Sequence, residues 1–136
     1  MIWRVGRGGV INEAEIQRLV DRFYVKVRED ELIGPIFNTA IADWREHLEK
    51  LGAFWSSVML TSGRYKGNPM AAHLRHADSI EPDMFDRWLF LWRETAAEEL
   101  NPDAAAAVAA KADRIAESLK LGLYFELPSK RGAVVA

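Results

Sequence analysis

The sequence predicts an all-α domain, and three observations support this prediction. In four long segments, apolar side chains recur every three or four residues, the period of a helix with one buried face. Residues that favour helix starts stand directly before these segments. No convincing pair of segments alternates apolar and polar side chains as strands would. With 136 residues, 49% of them apolar, the chain is long enough for one domain with a single core.

The first long helix is predicted to begin after Asn12, because Asn12 and Glu15 have the spacing of a capping box. A turn at Gly34 and Pro35 is predicted to follow, with Phe37 returning to the core. The apolar stripe of this helix consists of Ile16, Leu19, Val20, Phe23 and Val27, with Tyr24 at its edge.

The second long helix is predicted to begin near Asp43. Its apolar stripe consists of Trp44, Leu48, Leu51, Trp55 and Val58, and His47 lies within the same face. The segment TSGRYKGNP then interrupts the periodicity, and a short helical segment, MAAHLR, carries His73 before a loop that contains His76.

Two further long helices complete the prediction. Pro82 and Asp83 indicate the start of the third, which is apolar on nearly two sides and therefore central. The segment NPD at 101–103 indicates the start of the fourth. The apolar side chains of the fourth are Val108, Ala112, Ile115, Leu119 and Leu123, and the two valines near the chain's end are expected to belong to a frayed tail.

Composition excludes several classes of function. The net charge is −2, from 18 basic and 20 acidic residues that are interspersed, so no basic face for nucleic acid or an anionic membrane is expected. The chain has no cysteine, which excludes disulfides, thiolate catalysis and cysteine-ligated metals. No apolar run is long enough for a secretory leader or a membrane span, so we expect a cytoplasmic protein.

Tyr24, His47 and Trp88 are polar or titratable side chains at positions where the periodicity predicts burial. Each residue taken alone is more commonly an ordinary core residue. Together, three helices that each direct a polar group inward suggest one shared polar target in an apolar cavity, because buried polar groups need partners.

His73 is a candidate metal ligand, because it lies on a helix too short to be stable without docking onto something. His73 and His76 would need a further ligand to form a zinc site. None of the three histidines follows a glutamate by three residues, as di-iron bundles require. The remaining possibility is haem, held by a single axial histidine, with the polar trio on the opposite side.

Four blocks of the sequence resemble the third group of truncated haemoglobins, bacterial globins with a two-over-two helical sandwich. The blocks are FYVKVREDELIGPIFN (23–38), WREHLEKLGAFW (44–55), YKGNPMAAH (65–73) and FDRWLFLW (85–92). Their order and spacing cover roughly residues 12 to 125. The resemblance implies a globin domain over 12–125, with residues 1–11 as an N-terminal extension and 126–136 as a C-terminal tail.

The resemblance also implies the roles of individual residues. His73 matches the proximal iron ligand, with His76 as a competitor because the following loop is about one residue longer than expected. Tyr24, His47 and Trp88 match the distal residues that contact iron-bound ligand and would take part in any catalysis. The implied cofactor is haem b, and its expected contacts are Phe23, Phe37, Lys50, Leu51, Trp55, His73, Arg75 and Trp88, with Arg64 and Lys66 as further candidates for the propionates.

The implied ligands are O2, CO, NO or small anions, with a reductase as a candidate partner and a monomer or weak dimer as the expected state. Two or three distal donors favour redox chemistry, NO or peroxide handling, or sensing over bulk O2 transport. Whether the protein is a haem-dependent enzyme stays open. The alternative is a non-haem helical bundle that binds another apolar ligand or a partner helix in the same aromatic cavity.

Overall fold

The computed structural model describes residues 11–124, so the predicted tail and nearly all of the predicted N-terminal extension lie outside the described residues. Within that range the chain forms helices and no strand, which confirms the all-α prediction. A short 3-10 turn, Ala77–Ser79, precedes the fifth helix. The helices are α1 (Glu13–Glu29), α2 (Gly34–Ala40), α3 (Trp44–Leu60), α4 (Pro69–Leu74), α5 (Pro82–Glu99) and α6 (Pro102–Tyr124).

The helix starts that the sequence predicts are confirmed, because they depend on contacts within a few residues. Asn12 and Glu15 form the predicted capping box, in which each side chain accepts from the other residue's backbone N–H. Asp43 accepts from the backbone N–H of Glu46 and so caps α3. Pro82 is the first residue of α5.

The predicted turn at Gly34 and Pro35 is wrong, because these residues begin the seven-residue helix α2. The chain turns earlier, where a carboxylate oxygen of Asp30 accepts from the backbone N–H groups of Leu32 and Ile33, both at 3.1 Å. A Cβ on Gly34 would lie 2.9 Å from the backbone carbonyl oxygen of Arg28. Glycine therefore lets α2 begin in close contact with the end of α1.

The helices pack around one main core, and a smaller cluster of Phe85, Ala116 and Leu119 lies between α5 and α6. Helix α1 packs against α3 and against α5, α5 packs against α6, and the short helix α4 packs against α6. The largest fully buried side chains come from α1, α5 and α6, from the residue before α2, and from α3. They are Trp92, Phe23, Ile16, Leu19, Ile33, Val20, Val27, Val108, Thr95 and Ser56.

An ion pair fixes the end of α1 to α5. The carboxylate of Asp30, whose side chain is 6% exposed, accepts from Arg87 Nε at 2.7 Å. Burial alone would raise the pKa of Asp30, but hydrogen bonds from the Ile33 backbone and from Arg87 hold it below its usual value. This contact therefore stabilises the fold only while the carboxylate is ionised.

Candidate functional site

Three polar side chains that the sequence predicts to share a target do meet in the structure. Tyr24 comes from α1, His47 from α3 and Trp88 from α5. The rings of Tyr24 and His47 lie edge to face, with centroids 5.9 Å apart. The Trp88 indole lies close enough to the Tyr24 phenol to lower its pKa. The packing of α1 against both α3 and α5 is what brings the three together.

The Tyr24 phenol is a permanent hydrogen-bond donor. Burial raises the pKa of Tyr24 to about 12, and the contact with Trp88 offsets part of that effect. The side chain is 4% exposed, and its ring packs edge-on against Phe23 at 4.7 Å and Phe37 at 5.7 Å. These contacts fix the direction of the phenol, which keeps its proton at any physiological pH.

His47 carries a buried nitrogen that has no hydrogen-bond partner among residues 11–124. The atom is Nε2, and the half-buried ring lies edge-on to two aromatic rings, Tyr24 at 5.9 Å and Trp44 at 5.5 Å. Burial lowers the pKa of His47, and the charges of Lys50 and His73 lower it further. The imidazole is therefore neutral at pH 7, and its free nitrogen is available to a ligand.

His73 is oriented by its own short helix. Asn68 caps α4 by accepting from the backbone N–H of Ala71, and Pro69 is the first helical residue. His73 Nδ1 lies 2.7 Å from the carbonyl oxygen of Pro69, one helical turn earlier. A carbonyl oxygen only accepts, so Nδ1 carries a proton, and in the neutral imidazole Nε2 therefore carries the free lone pair with which a histidine ligates a metal. His76 lies exposed at the start of the 3-10 turn.

The predicted apolar contacts fall into two layers. Phe37 and Leu51 are half-buried and retain accessible surface beside Tyr24 and His47. Phe23 and Trp55 are 0% and 2% exposed and lie in the core behind them. The first pair is therefore placed to touch a ligand directly, and the second pair supports the site.

The predicted cationic residues differ in their surroundings. Lys50 and Arg75 are both exposed, and Lys50 lies close enough to His47 to affect its pKa. Arg64 forms an ion pair with Glu13 at 2.6 Å. In the part of the chain that the structure describes, no group of three or more His, Cys, Asp or Glu side chains could hold a metal ion without a cofactor.

Two site residues were not predicted from the sequence. Trp44 lies edge-on to His47 and 5.9 Å from the Tyr24 ring, and the guanidinium of Arg28 lies over its face at 4.5 Å. Trp92 stacks on Trp88. The helical period placed Trp44 only in an apolar stripe and indicated no role in the site for Trp92, and their ring contacts show that they belong to the site.

Comparison with known proteins identifies the family of this arrangement. The family model described as bacterial-like globin matches residues 8–119. The group 3 truncated hemoglobin of Campylobacter jejuni is 36% identical over 118 residues, which cover 84% of this chain and 92% of the relative. This chain belongs to the third group of truncated haemoglobins.

The solved structures agree with the identification. The crystal structure of the group III truncated hemoglobin from Campylobacter jejuni aligns with this truncated globin at a TM-score of 0.77 and 35% sequence identity. The alignment covers 85% of this chain and 93% of the other. The resemblance in the four sequence blocks is thereby confirmed, and so is the two-over-two globin fold.

Family membership implies a haem-binding globin, and the residues of this chain fit that cofactor. His73 keeps an unprotonated nitrogen, His47 has a buried nitrogen without a partner, and α3 presents a half-buried apolar face. Each is what an iron porphyrin would use. The family also suggests small diatomic ligands. No helix among residues 11–124 has the length and apolarity to cross a membrane.

Proposed function

We propose that this truncated globin holds haem b through Nε2 of His73 and binds diatomic ligands on the side of Tyr24, His47 and Trp88. The observation that carries the proposal is the contact between His73 Nδ1 and the Pro69 carbonyl at 2.7 Å. Such a contact sets the tautomer and the ring orientation that an axial ligand needs. His76, exposed on the following turn, lacks this support from its helix.

The distal residues have distinct roles that follow from their hydrogen bonds. When bound, haem supplies an iron atom whose sixth position takes O2, CO or NO. Tyr24 donates its O–H to that ligand, because a pKa of about 12 keeps the proton in place. Trp88 lies beside the phenol and restricts its orientation together with Phe23 and Phe37. His47 offers its neutral Nε2 as a third partner.

Strong retention of oxygen argues against bulk oxygen transport. A hydrogen bond to bound O2 in a site shielded from water contributes on the order of 1–3 kcal/mol. Each such bond slows dissociation by roughly one to two factors of ten. A hydrogen bond of this strength therefore favours redox chemistry on O2, NO or peroxide, or sensing.

Neutral His47 can also act as a base. Its lowered pKa keeps the imidazole neutral at pH 7, so the tautomer with a proton on Nδ1 can accept the proton of a peroxide at Nε2. The Tyr24 phenol would then stabilise the negative charge that remains. Turnover of this kind, a reductase partner, a cytoplasmic location and a monomeric or weakly dimeric state remain predictions from the sequence.

The remaining expected contacts complete the proposed pocket. Phe37 and Leu51 would pack on the porphyrin faces, while Phe23 and Trp55 support the pocket from the core. The propionates would extend towards solvent, where Lys50 and Arg75 are the exposed cations expected to neutralise them.

The absorbance spectrum of purified protein tests the proposal. We expect an intense Soret band that shifts on reduction and again with CO. His73→Ala should lose or rearrange haem ligation, whereas the matched control His76→Ala should keep the wild-type ferric and ferrous spectra. A colourless wild type, or a His73→Ala spectrum identical to wild type, would disprove the assignment.

A further inference from the structure

Three tryptophan rings form a continuous stack that begins at the site and runs into the core. Trp88 and Trp92, one helical turn apart on α5, are nearly parallel, with an interplanar angle of 4° and centroids 5.9 Å apart. Trp92 stacks on Trp55 of α3 at 4.4 Å. Trp92 and Trp55 are 0% and 2% exposed, so water is excluded from the inner part of the stack.

Further rings continue this path to the surface. Phe54 lies edge-on to Trp55 at 5.6 Å and edge-on to Tyr65 at 5.2 Å. Tyr65 is half-buried, and its backbone N–H donates to Ser57 Oγ at 2.9 Å, which holds the residue against α3. A chain of aromatic contacts thus connects Trp88, beside the Tyr24 phenol, with a second phenol near the surface.

The stack suits the transfer of electrons, because indoles and phenols are among the side chains that lose an electron most readily. Phe54 is not oxidised and serves as a bridge between Trp55 and Tyr65. The Trp92 N–H donates to the backbone carbonyl of Val108 at 3.1 Å, so an oxidised Trp92 has no water to take its proton. The buried indoles can therefore pass charge on but cannot settle as neutral radicals, whereas Tyr65 can release its phenol proton to water.

We propose that the stack Trp88–Trp92–Trp55, continued by Phe54, carries oxidising equivalents from the haem pocket to Tyr65. Tyr65 is then a surface site at which phenolic reductants are oxidised. This inference rests on the proposed function, because peroxide must react in the pocket.

The electrons and protons balance in each turnover. Hydrogen peroxide takes up two electrons and two protons and becomes two molecules of water. Each electron leaves Tyr65 through the stack while the phenol proton passes to water, which leaves a neutral tyrosyl radical. A phenolic reductant restores Tyr65 by giving it a hydrogen atom. Two reductant molecules are oxidised for each peroxide, and the two protons that Tyr65 releases match the two that peroxide consumes.

Radical trapping in the haem-loaded protein tests this inference. Ferric protein would be mixed with an equimolar amount of peroxide and a nitroso spin trap, and the adduct located by peptide mass spectrometry. We expect the main tyrosine adduct at Tyr65. The matched control is Tyr124, which is 38% exposed and would be labelled first if exposure alone decided the site. Tyr65→Phe should remove the adduct, and Tyr124→Phe should leave it unchanged.

Variants within the stack separate the path from its end point. Trp92→Phe and Trp55→Phe should each lose most of the Tyr65 adduct per bound haem, with the haem content of each variant measured from its Soret band, and Trp55→Phe serves if Trp92→Phe does not fold. An undiminished Tyr65 adduct in a folded stack variant, or labelling at Tyr24 or Tyr124 instead, would refute the path and leave haem binding untouched. A wild type without a Soret band would refute the proposed function and this inference together.

Discussion

Removing the Tyr24 hydroxyl should speed the dissociation of oxygen. Tyr24→Phe keeps the ring contacts with Phe23 and Phe37 and deletes one O–H donor that burial holds protonated, with a pKa of about 12. Loss of one such hydrogen bond costs about 1–3 kcal/mol, or roughly 5- to 150-fold in the dissociation rate.

The indole of Trp88 should reduce that effect. In the wild type it contacts the Tyr24 phenol, and in Tyr24→Phe it has lost this partner and can donate to bound O2 instead. Tyr24→Phe should therefore speed O2 dissociation by about tenfold, near the lower end of that range. In the double variant Tyr24→Phe/Trp88→Phe, the loss of free energy that holds bound O2 should exceed the sum of the losses in the two single variants, because neither donor then remains.

Stopped-flow displacement of O2 by CO measures these rates. Tyr124→Phe is the matched control, since its hydroxyl donates to the Ile80 carbonyl at 2.9 Å, far along the chain from the distal residues. The wild-type rate should not vary between about pH 7 and about pH 9, because Tyr24 stays protonated and His47 stays neutral throughout. Unchanged rates in both single variants and the double variant would show that Tyr24 and Trp88 only pack. Strictly additive effects would show that they act independently.

The other predictions concern the pocket and the fold. His47→Leu should stabilise the haem-free protein by about 1–3 kcal/mol, since it removes a buried unpartnered nitrogen. A lower free energy of unfolding in urea would contradict this. Gly34→Ala should destabilise by about 1–3 kcal/mol, because its Cβ meets the backbone of Arg28 and no side chain can move aside; an unchanged urea midpoint would argue against it. Asp30→Asn weakens the contact with Arg87 and should cost about 1 kcal/mol at pH 7. Since the folded pKa of Asp30 is depressed, this stability is present above about pH 4 and is lost as the pH falls through the folded pKa. The free energies of unfolding of wild type and Asp30→Asn, measured in urea, should therefore converge in acid. A difference that stays constant with pH would exclude the ionic contribution.

Local signals account for the parts of the fold that the sequence predicted. The capping box at Asn12 and the cap at Asp43 depend on residues within one turn, so their spacing alone places the helix starts. Helix α2 was missed because its start depends on Asp30, four residues earlier, and on the close approach of Gly34 to α1. A glycine–proline pair indicates a break in the chain but not which structure follows it.

In the site, too, the sequence predicted what depends on local patterns and missed what depends on contacts between helices. The periodicity placed Tyr24, His47 and Trp88 on the inner faces of their helices, and the family resemblance assigned their roles. The stack of Trp55, Trp92 and Trp88 could not be predicted, because it depends on a contact between a side chain of α3 and a side chain of α5. Neither a helical period nor a motif describes contacts between residues more than thirty positions apart.

The polar trio explains why the site is both unstable in isolation and useful when a ligand is present. A buried imidazole nitrogen without a partner among the described residues opposes folding. A ligand that pairs with His47 removes that cost, so the free energy that folding loses at this position returns as binding energy, to which the Tyr24 donor adds. The more completely the surrounding rings exclude water, the larger both effects become. The same aromatic packing that makes the haem-free site costly therefore makes the bound ligand slow to leave.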